Sequence, residues 1–500
     1  MMERLKLFID GAFVESGTDV FREIHNPSTG EVIAQAPCCT REEVLSAVEA
    51  ARRAFPAWAA TPPAKRAQRL FRLRELIVEH FDELTMSVAL ENGKVWSEAA
   101  GDVRKAQEMT ELATSIPTQM MGESLMNTSA GYDTTLYREP LGVFAGIAPW
   151  NFPAMIPMGW MAPLAISCGN TYVLKAATMT PMTALKFAEL YRQAGIPDGV
   201  LNIVTCSRRE SELLLDHPDV KGVTLVGSTE VGRHIYQTAA ASGKRVQCLC
   251  EAKNHALVLA DAPLANTAAA IVNAAFGCAG ERCMALSCVA VEERIADRLV
   301  AEIVRLCGER RIGPAYDKAS RLGPVVSAEH RRSIEESIQR GVDEGAKLVL
   351  DGRGCVVPGY EGGYYVGPTI LDRVEPGMSV GEREIFGPVL CVKRVSGFEE
   401  GLQIMNANPF ANGSVIFTAS GYYAREFVSR TDGGMVGVNV AIPVPVGVFP
   451  FSGHKQSFFG DLHCHGKDFV RFFTESKTVT THWFDGQPDP GAADTWGGTI

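Results

Sequence analysis

The chain has 500 residues, more than one hydrophobic core organises, so two or three domains are expected. Apolar residues make up 46% and charged residues 21%, an ordinary globular balance, and a formal charge of −10 disfavours nucleic acid and anionic membrane as partners. The 13 cysteines lack the short regular spacing of a disulfide scaffold, and Glu3, Asp10 and Glu15 interrupt the N-terminal apolar residues, so a reducing, cytoplasmic setting is expected rather than secretion.

Thr40-Arg41-Glu42-Glu43 is a capping box that opens a helix toward Phe55. Residues 63–92 read as one longer helix with Leu70, Leu73, Ile77 and Phe81 on a single stripe. Residues 123–140 read as an inserted β-hairpin. Residues 141–173 carry no charge and are long enough to span a bilayer. Pro149, Pro153, Pro157 and Pro163 would leave such a span with unsatisfied backbone, so the reading is a buried strand at 142–148, a turn, a helix from Pro153 and a strand at 171–174. A helix at 182–194, ended by Gly195 and Pro197, and strands at 201–204 and 223–226 continue the rhythm of a parallel sheet covered by helices. A second run of the same type extends from 256–259 to about Val440, with helices at 269–276 and 295–306. Residues 476–483 are β-prone and can pair with the hairpin as a small projecting sheet, a plausible oligomer contact. Residues 486–500, rich in Gly, Pro and Asp, are expected to be disordered.

Two local patterns bear on chemistry. Gly227-Ser228-Thr229-Glu230-Val231-Gly232 follows a strand and opens a helix, where backbone N–H groups and the helix dipole can meet a pyrophosphate. It is not a P-loop, since Arg233 stands where the lysine would be, and an ordinary capped helix start remains the alternative. Cys283 lies in a Gly-rich turn, 276–284, where nearby N–H groups and Arg282 would lower its pKa; a small buried hydrophobe is the alternative. Cys248, Cys250 and the cluster His463-Cys464-His465 lack a second pair at zinc-site spacing, so no metal is expected.

Several motifs in register resemble the aldehyde dehydrogenase superfamily. They are Pro149-Trp150-Asn151-Phe152-Pro153, Gly227 to Gly232, Gly280-Glu281-Arg282-Cys283, Glu384-Ile385-Phe386-Gly387-Pro388 and Pro450-Phe451-Ser452-Gly453-His454-Lys455. The resemblance implies an α/β fold of two Rossmann-like parallel-sheet domains plus a small β-extension. A dinucleotide-binding domain would comprise 1–122 and 143–251, a catalytic domain 252–450, the oligomerisation extension 123–142 and 474–487, and a tail 488–500, in a homodimer or homotetramer. It also implies roles. Cys283 attacks the aldehyde carbon, and the Asn151 amide with the Cys283 N–H forms the oxyanion hole. Trp150, Lys175, Thr178, Gly227, Ser228, Glu384 and Phe386 would line the site of NAD or NADP.

Hydrolytic members carry a glutamate base in a Glu-Leu-Gly-Gly-Lys-type motif. The matching stretch here is Leu249-Cys250-Glu251-Ala252-Lys253, and a leucine cannot take a proton. Glu251 is displaced from that position by about 6–7 Å on a strand and is a substitute base only as an alternative. Loss of the base, Ala252-Lys253-Asn254-His255 and the run from Phe451 to Asp461 are similar to the CoA-acylating methylmalonate-semialdehyde dehydrogenases. Coenzyme A rather than water would then release the acyl group, and hydrolysis to a free acid is the alternative. Of that subgroup's two substrate-carboxylate arginines one matches Arg282, while the other position holds Lys105, with Arg104 one residue earlier. Thr178 replaces the glutamate that would repel a 2′-phosphate, so no charge bars NADP.

Overall fold

The computed structural model describes residues 3–129 and 131–483. The expected tail at 488–500 and residues 484–487 of the expected extension lie outside the described residues.

The first sheet is built on five parallel strands in the spatial order Leu201–Val204, Thr171–Lys175, Val143–Ile147, Val220–Val226, Arg245–Leu249. These strands are short, largely apolar and almost wholly buried, as strands covered on both faces must be. Chain order runs outward in both directions from the pair Val143–Ile147 and Val220–Val226. Their C-terminal ends therefore splay two loops apart, 148–153 and 227–232, and open a crevice at that switch point. Antiparallel strands close the edges, Leu7–Ile9 with Ala12–Val14 on one side and Phe458–Gly460 on the other. The last of these brings the C-terminal part of the chain back to the first sheet, with Phe458 opposite Leu249.

The second sheet runs Lys347–Leu350, Thr369–Asp372, Val389–Val395, Cys288–Glu292, His255–Val258, Gly413–Phe417, Met435–Val438, parallel except for its first pair. The segments that enter four neighbouring strands, at 253–254, 283–287, 384–388 and 412, all lie at one edge of this sheet. That edge faces the crevice of the first.

A third, three-stranded sheet pairs Thr474–His482 with Tyr132–Pro140 and the latter with Glu123–Ser129. Its root is pinned by Asn170, which is fully buried. The Asn170 Oδ1 accepts the N–H groups of Leu141 (2.9 Å) and Gly142 (3.0 Å), and its Nδ2 donates to the Phe473 carbonyl (2.8 Å).

The capping box forms as read, with Thr40 and Glu43 bonded reciprocally at the start of helix Arg41–Ala60. Two elements differ from expectation. The long helix at 63–92 is broken into Pro63–Glu79 and Phe81–Asn92, because His80 leaves helical geometry (φ −100, ψ 17). Its N–H closes the first helix on Leu76, and its Nδ1 lies 3.1 Å from Glu83 Oε2 in the first turn of the second. The helix expected from Pro153 begins as π-helical turns, Ile156–Met161, before narrowing to Ala162–Ser167. Pro157 and Pro163 supply no N–H, and a widened turn relieves the ring clash that each would cause in a regular helix. Among the described residues no helix is long and apolar enough to cross a membrane.

Replacing Asn170 by Ala strips a partner from the backbone groups of Leu141, Gly142 and Phe473, so we expect a loss of about 3 kcal/mol, read as a lower urea unfolding midpoint. A midpoint unchanged from the native protein would contradict that role.

Candidate active site

The crevice at the switch point encloses about 430 Å³ and is walled by Trp150, Asn151, Gly227, Ser228, Glu251, Cys283, Glu384 and Phe386, among others. Ser228 caps helix Thr229–Ala241, its hydroxyl accepting from the Val231 N–H at 3.5 Å. The Gly227 N–H is already given to the Leu249 carbonyl (3.0 Å). A Cβ on Gly227 would meet nothing closer than the Leu225 side chain at 3.4 Å, so packing within the protein does not demand glycine there. The bare side of Gly227 is room for a ligand. Gly232 is different: a Cβ would collide with the Cys250 sulfur, so Cys250 and its neighbour Cys248 are small packing residues under this helix. Lys175 finds only the Thr178 hydroxyl, at 3.3 Å, and burial lowers the pKa of its ammonium.

Trp150 and Phe386 meet edge to face at 5.3 Å. Phe386 holds a left-handed backbone (φ 58), stabilised by His330, whose Nε2 lies 2.7 Å from the Phe386 carbonyl and whose ring packs on Trp150 at 5.4 Å. Glu384 accepts the Ala252 N–H (3.2 Å), and burial together with nearby Glu251 pushes its carboxyl up to about 8. Glu251, the substitute considered for the missing base at Leu249, is committed elsewhere. Its carboxylate accepts the Thr229 N–H at 3.1 Å, on the helix start where a pyrophosphate was expected.

Cys283 follows a tight turn, Gly277–Gly280, in which Gly280 is left-handed (φ 73) and approaches the backbone of Gly387 so closely that a Cβ would collide with its carbonyl oxygen. Glycine at 280 thus lets the 384–388 loop and the cysteine turn touch. The Cys283 carbonyl is held by Asn254 Nδ2 at 2.8 Å and Asn412 Nδ2 at 3.2 Å. The low thiol pKa expected from the sequence is reversed. Burial, then Glu384, pushes the Cys283 thiol up to about 12, outweighing its own N–H, that of Met284 and Arg282. Arg282 contributes little because its Nη2 turns back onto the carbonyls of Asn273 (2.8 Å) and Ala274 (3.2 Å) at the end of helix Leu264–Phe276.

A second cavity, about 290 Å³, lies on the other side of Cys283. Phe152, Met155, Trp160 and Phe451 give it apolar walls, and Arg282 and Lys105 reach it, Lys105 in an ion pair with Glu108 at 2.6 Å. Arg104 instead stacks over Phe81 at 5.5 Å. Among the described residues Cys283 is the one side chain that lines both cavities.

The sequence missed the support beneath Asn151. Its Nδ2 donates to the Glu281 carbonyl (3.0 Å), and its own carbonyl accepts from Lys94. Lys94 is buried against Asp102 (3.2 Å) and over the Phe152 ring (3.8 Å), while Asp102 accepts the Met155 N–H at 2.6 Å. His255, with its Nδ1 2.7 Å from the Lys253 carbonyl and its pKa lowered by burial to about 3, lines neither cavity. Among the described residues no cluster of His, Cys, Asp or Glu is placed to hold a metal.

The model of the aldehyde dehydrogenase family matches residues 13–479, and the chain belongs to that family. Within it, the chain is similar to malonate-semialdehyde dehydrogenase 2 of Geobacillus kaustophilus, 47% identical over 96% of this chain and 99% of the relative. A crystal structure of methylmalonate-semialdehyde dehydrogenase from Oceanimonas doudoroffii superposes with a TM-score of 0.95 at 41% identity, covering 98% of this chain and 99% of the other. A structure from Sinorhizobium meliloti, assigned as a methylmalonate-semialdehyde dehydrogenase and complexed with NAD, superposes equally well, with a TM-score of 0.95 at 41% identity over 97% of this chain and 99% of that one.

Below a pKa of about 12 the thiolate fraction grows tenfold per pH unit, so iodoacetamide should alkylate Cys283 of the cofactor-free protein ever faster up to pH 10, followed by peptide-resolved mass spectrometry. Glu384→Gln removes an opposing negative charge and should raise the rate at pH 9; a plateau near pH 7 in the native protein would contradict the assignment. Glu251→Gly frees the Thr229 N–H and removes a carboxylate from the crevice, so NAD+ should bind about 3–10-fold more tightly by calorimetry. Weaker binding would show that Glu251 contributes to the cofactor site.

Proposed function

We propose that this protein oxidises an aldehyde with NAD(P)+ through a thioester on Cys283 and transfers the acyl group to coenzyme A. The observation that carries the reading is the position of Cys283 as the shared wall of two cavities, one suited to a dinucleotide and the other to a small, partly apolar aldehyde. Residues Trp150, Lys175, Ser228, Glu384 and Phe386 would hold the cofactor, which supplies the hydride acceptor when bound.

Cys283 gives its proton to solvent water, and its sulfur bonds to the aldehyde carbon. The Asn151 amide and the Cys283 N–H donate to the oxygen as it gains charge, and preorganised donors of this kind contribute several kcal/mol. Departure of hydride from the hemithioacetal carbon leaves a thioester on Cys283. The thiolate of coenzyme A then attacks that carbonyl, the carbon–sulfur bond to Cys283 breaks, and acyl-CoA departs as the cysteine thiolate is restored. Leu249, buried at the end of its strand, offers no base to activate water, which favours the thiol over water as the acceptor.

The named relatives and the cationic pair Arg282 and Lys105 support an acidic semialdehyde as substrate. The neighbour complexed with NAD supports that cofactor, and Thr178 sets no charge against NADP. Leu125, Met126 and Tyr137 are exposed on the three-stranded sheet, and we propose that it joins copies into a homodimer or homotetramer. The 13 cysteines, none paired among the described residues, suit a reducing, cytoplasmic compartment.

The test is product identification by mass spectrometry from an aldehyde panel with and without coenzyme A. Acyl-CoA should dominate when coenzyme A is present, and Leu249→Glu should raise the yield of free acid in its absence. Rapid release of free acid by the native protein, independent of coenzyme A, would replace this reading with a hydrolytic one.

A further inference from the structure

His465 is buried to 2% exposure in the short strand Cys464–His465, which pairs with Pro450–Phe451. Its backbone is left-handed (φ 69), a conformation costing about 1 kcal/mol in a residue with a Cβ. Its ring meets Trp160 edge to face at 4.6 Å and lines the same cavity as Cys283. Neither Nδ1 nor Nε2 has a hydrogen-bond partner. A buried polar group left unpaired costs about 1–3 kcal/mol, and packing alone would be served by an apolar ring.

The other polar groups around this cavity are largely engaged. Lys105 is held by Glu108, Asp102 by Lys94, and Glu98 accepts the Cys278 N–H at 2.7 Å. Arg282 spends its Nη2 on helix-end carbonyls, although its Nε is buried without a partner. Burial lowers the His465 pKa to about 3, so the ring is neutral and carries one N–H donor and one bare nitrogen.

We propose that His465 is a specificity-determining residue that donates a hydrogen bond to an oxygen at the far end of the substrate, selecting aldehydes that carry a second oxygen function, a carboxylate above all. This deepens the proposed function and rests on its reading of the cavity as the aldehyde site. A neutral donor suits that task in an apolar cavity, since it binds an oxygen without bringing a second buried charge that must itself be paired when the site is empty.

Steady-state rates with a three-carbon acidic semialdehyde and with propanal, at saturating NAD+ and coenzyme A, test the proposal. His465→Phe keeps a ring without nitrogens, and His465→Gly suits the left-handed backbone should the first variant fold poorly. Both should raise KM for the acidic semialdehyde by about tenfold or more while kcat, and both constants for propanal, stay within about twofold. His465→Asn, which keeps a donor and tolerates the backbone, should restore much of the loss. Equal losses on both substrates, or no loss on either, would overturn the assignment. A second arm needs no turnover: malonate should protect Cys283 of the native protein from iodoacetamide, and the Phe and Gly variants should need about ten times more malonate. If the native protein oxidises no aldehyde, the functional reading fails, yet equal malonate protection in native and variant proteins would still be what refutes the role of His465.

Discussion

The backbone grip on Cys283 is the constraint on which the site depends. Asn254 sets it. One amide donates to the carbonyls of Cys283 and Ala285, at 2.8 and 2.9 Å, while its oxygen accepts the Gly413 N–H at 2.8 Å. A single side chain thus ties the cysteine turn to the entry points of two neighbouring strands of the second sheet. Asn412 adds a second donor to the same carbonyl, and Gly280 lets the loop bearing Glu384 and Phe386 close against the turn. With that carbonyl held, Cys283 sits between the crevice of the first sheet and the second cavity. Elements of both sheets therefore converge on one residue, and neither sheet alone makes the site.

Burial has a cost that the architecture turns to use. Burial holds the thiol and Glu384 toward their protonated forms, with Glu384 adding to the shift at Cys283 and Glu251 to that at Glu384. On the proposed reading, an oxidised nicotinamide ring, which is cationic, would enter the crevice that Cys283 borders and favour its thiolate. Support for Asn151 follows the same logic. Lys94 and Asp102 are buried charges, paired with each other and bonded to the backbone at 151 and 155, and they hold Asn151, the proposed oxyanion donor, in place.

Much of the layout was legible in the amino-acid order. Buried apolar strands, the capping box at Thr40 and the β-prone ends that join 474–482 to 132–140 are local patterns, and local patterns survive folding. Cys283 and Asn151 stand in short motifs whose spacing is visible. Partners from distant segments were not legible. His330 beneath Phe386, Lys94 under Asn151, and Asn254 with Asn412 on Cys283 depend on which loops the two sheets bring together. The thiol pKa departs from the sequence expectation for the same reason. Neighbouring N–H groups and Arg282 are readable from the sequence, whereas the burial that outweighs them belongs to the whole fold, and Arg282 turns away to a helix end. The break at His80 and the π-helical turns at 156–161 are local, but they answer to packing and to missing proline donors that a periodic stripe does not register.

The central claim is that the acyl group rests on Cys283 between oxidation and release. Native protein mixed with an acidic semialdehyde and NAD+, without coenzyme A, then quenched in acid and mapped by peptide mass spectrometry, tests it most directly. The account requires the acyl mass on the peptide carrying Cys283 and its disappearance within one turnover of adding coenzyme A. Formation of NADH with no adduct, or with the adduct on another cysteine, would contradict it.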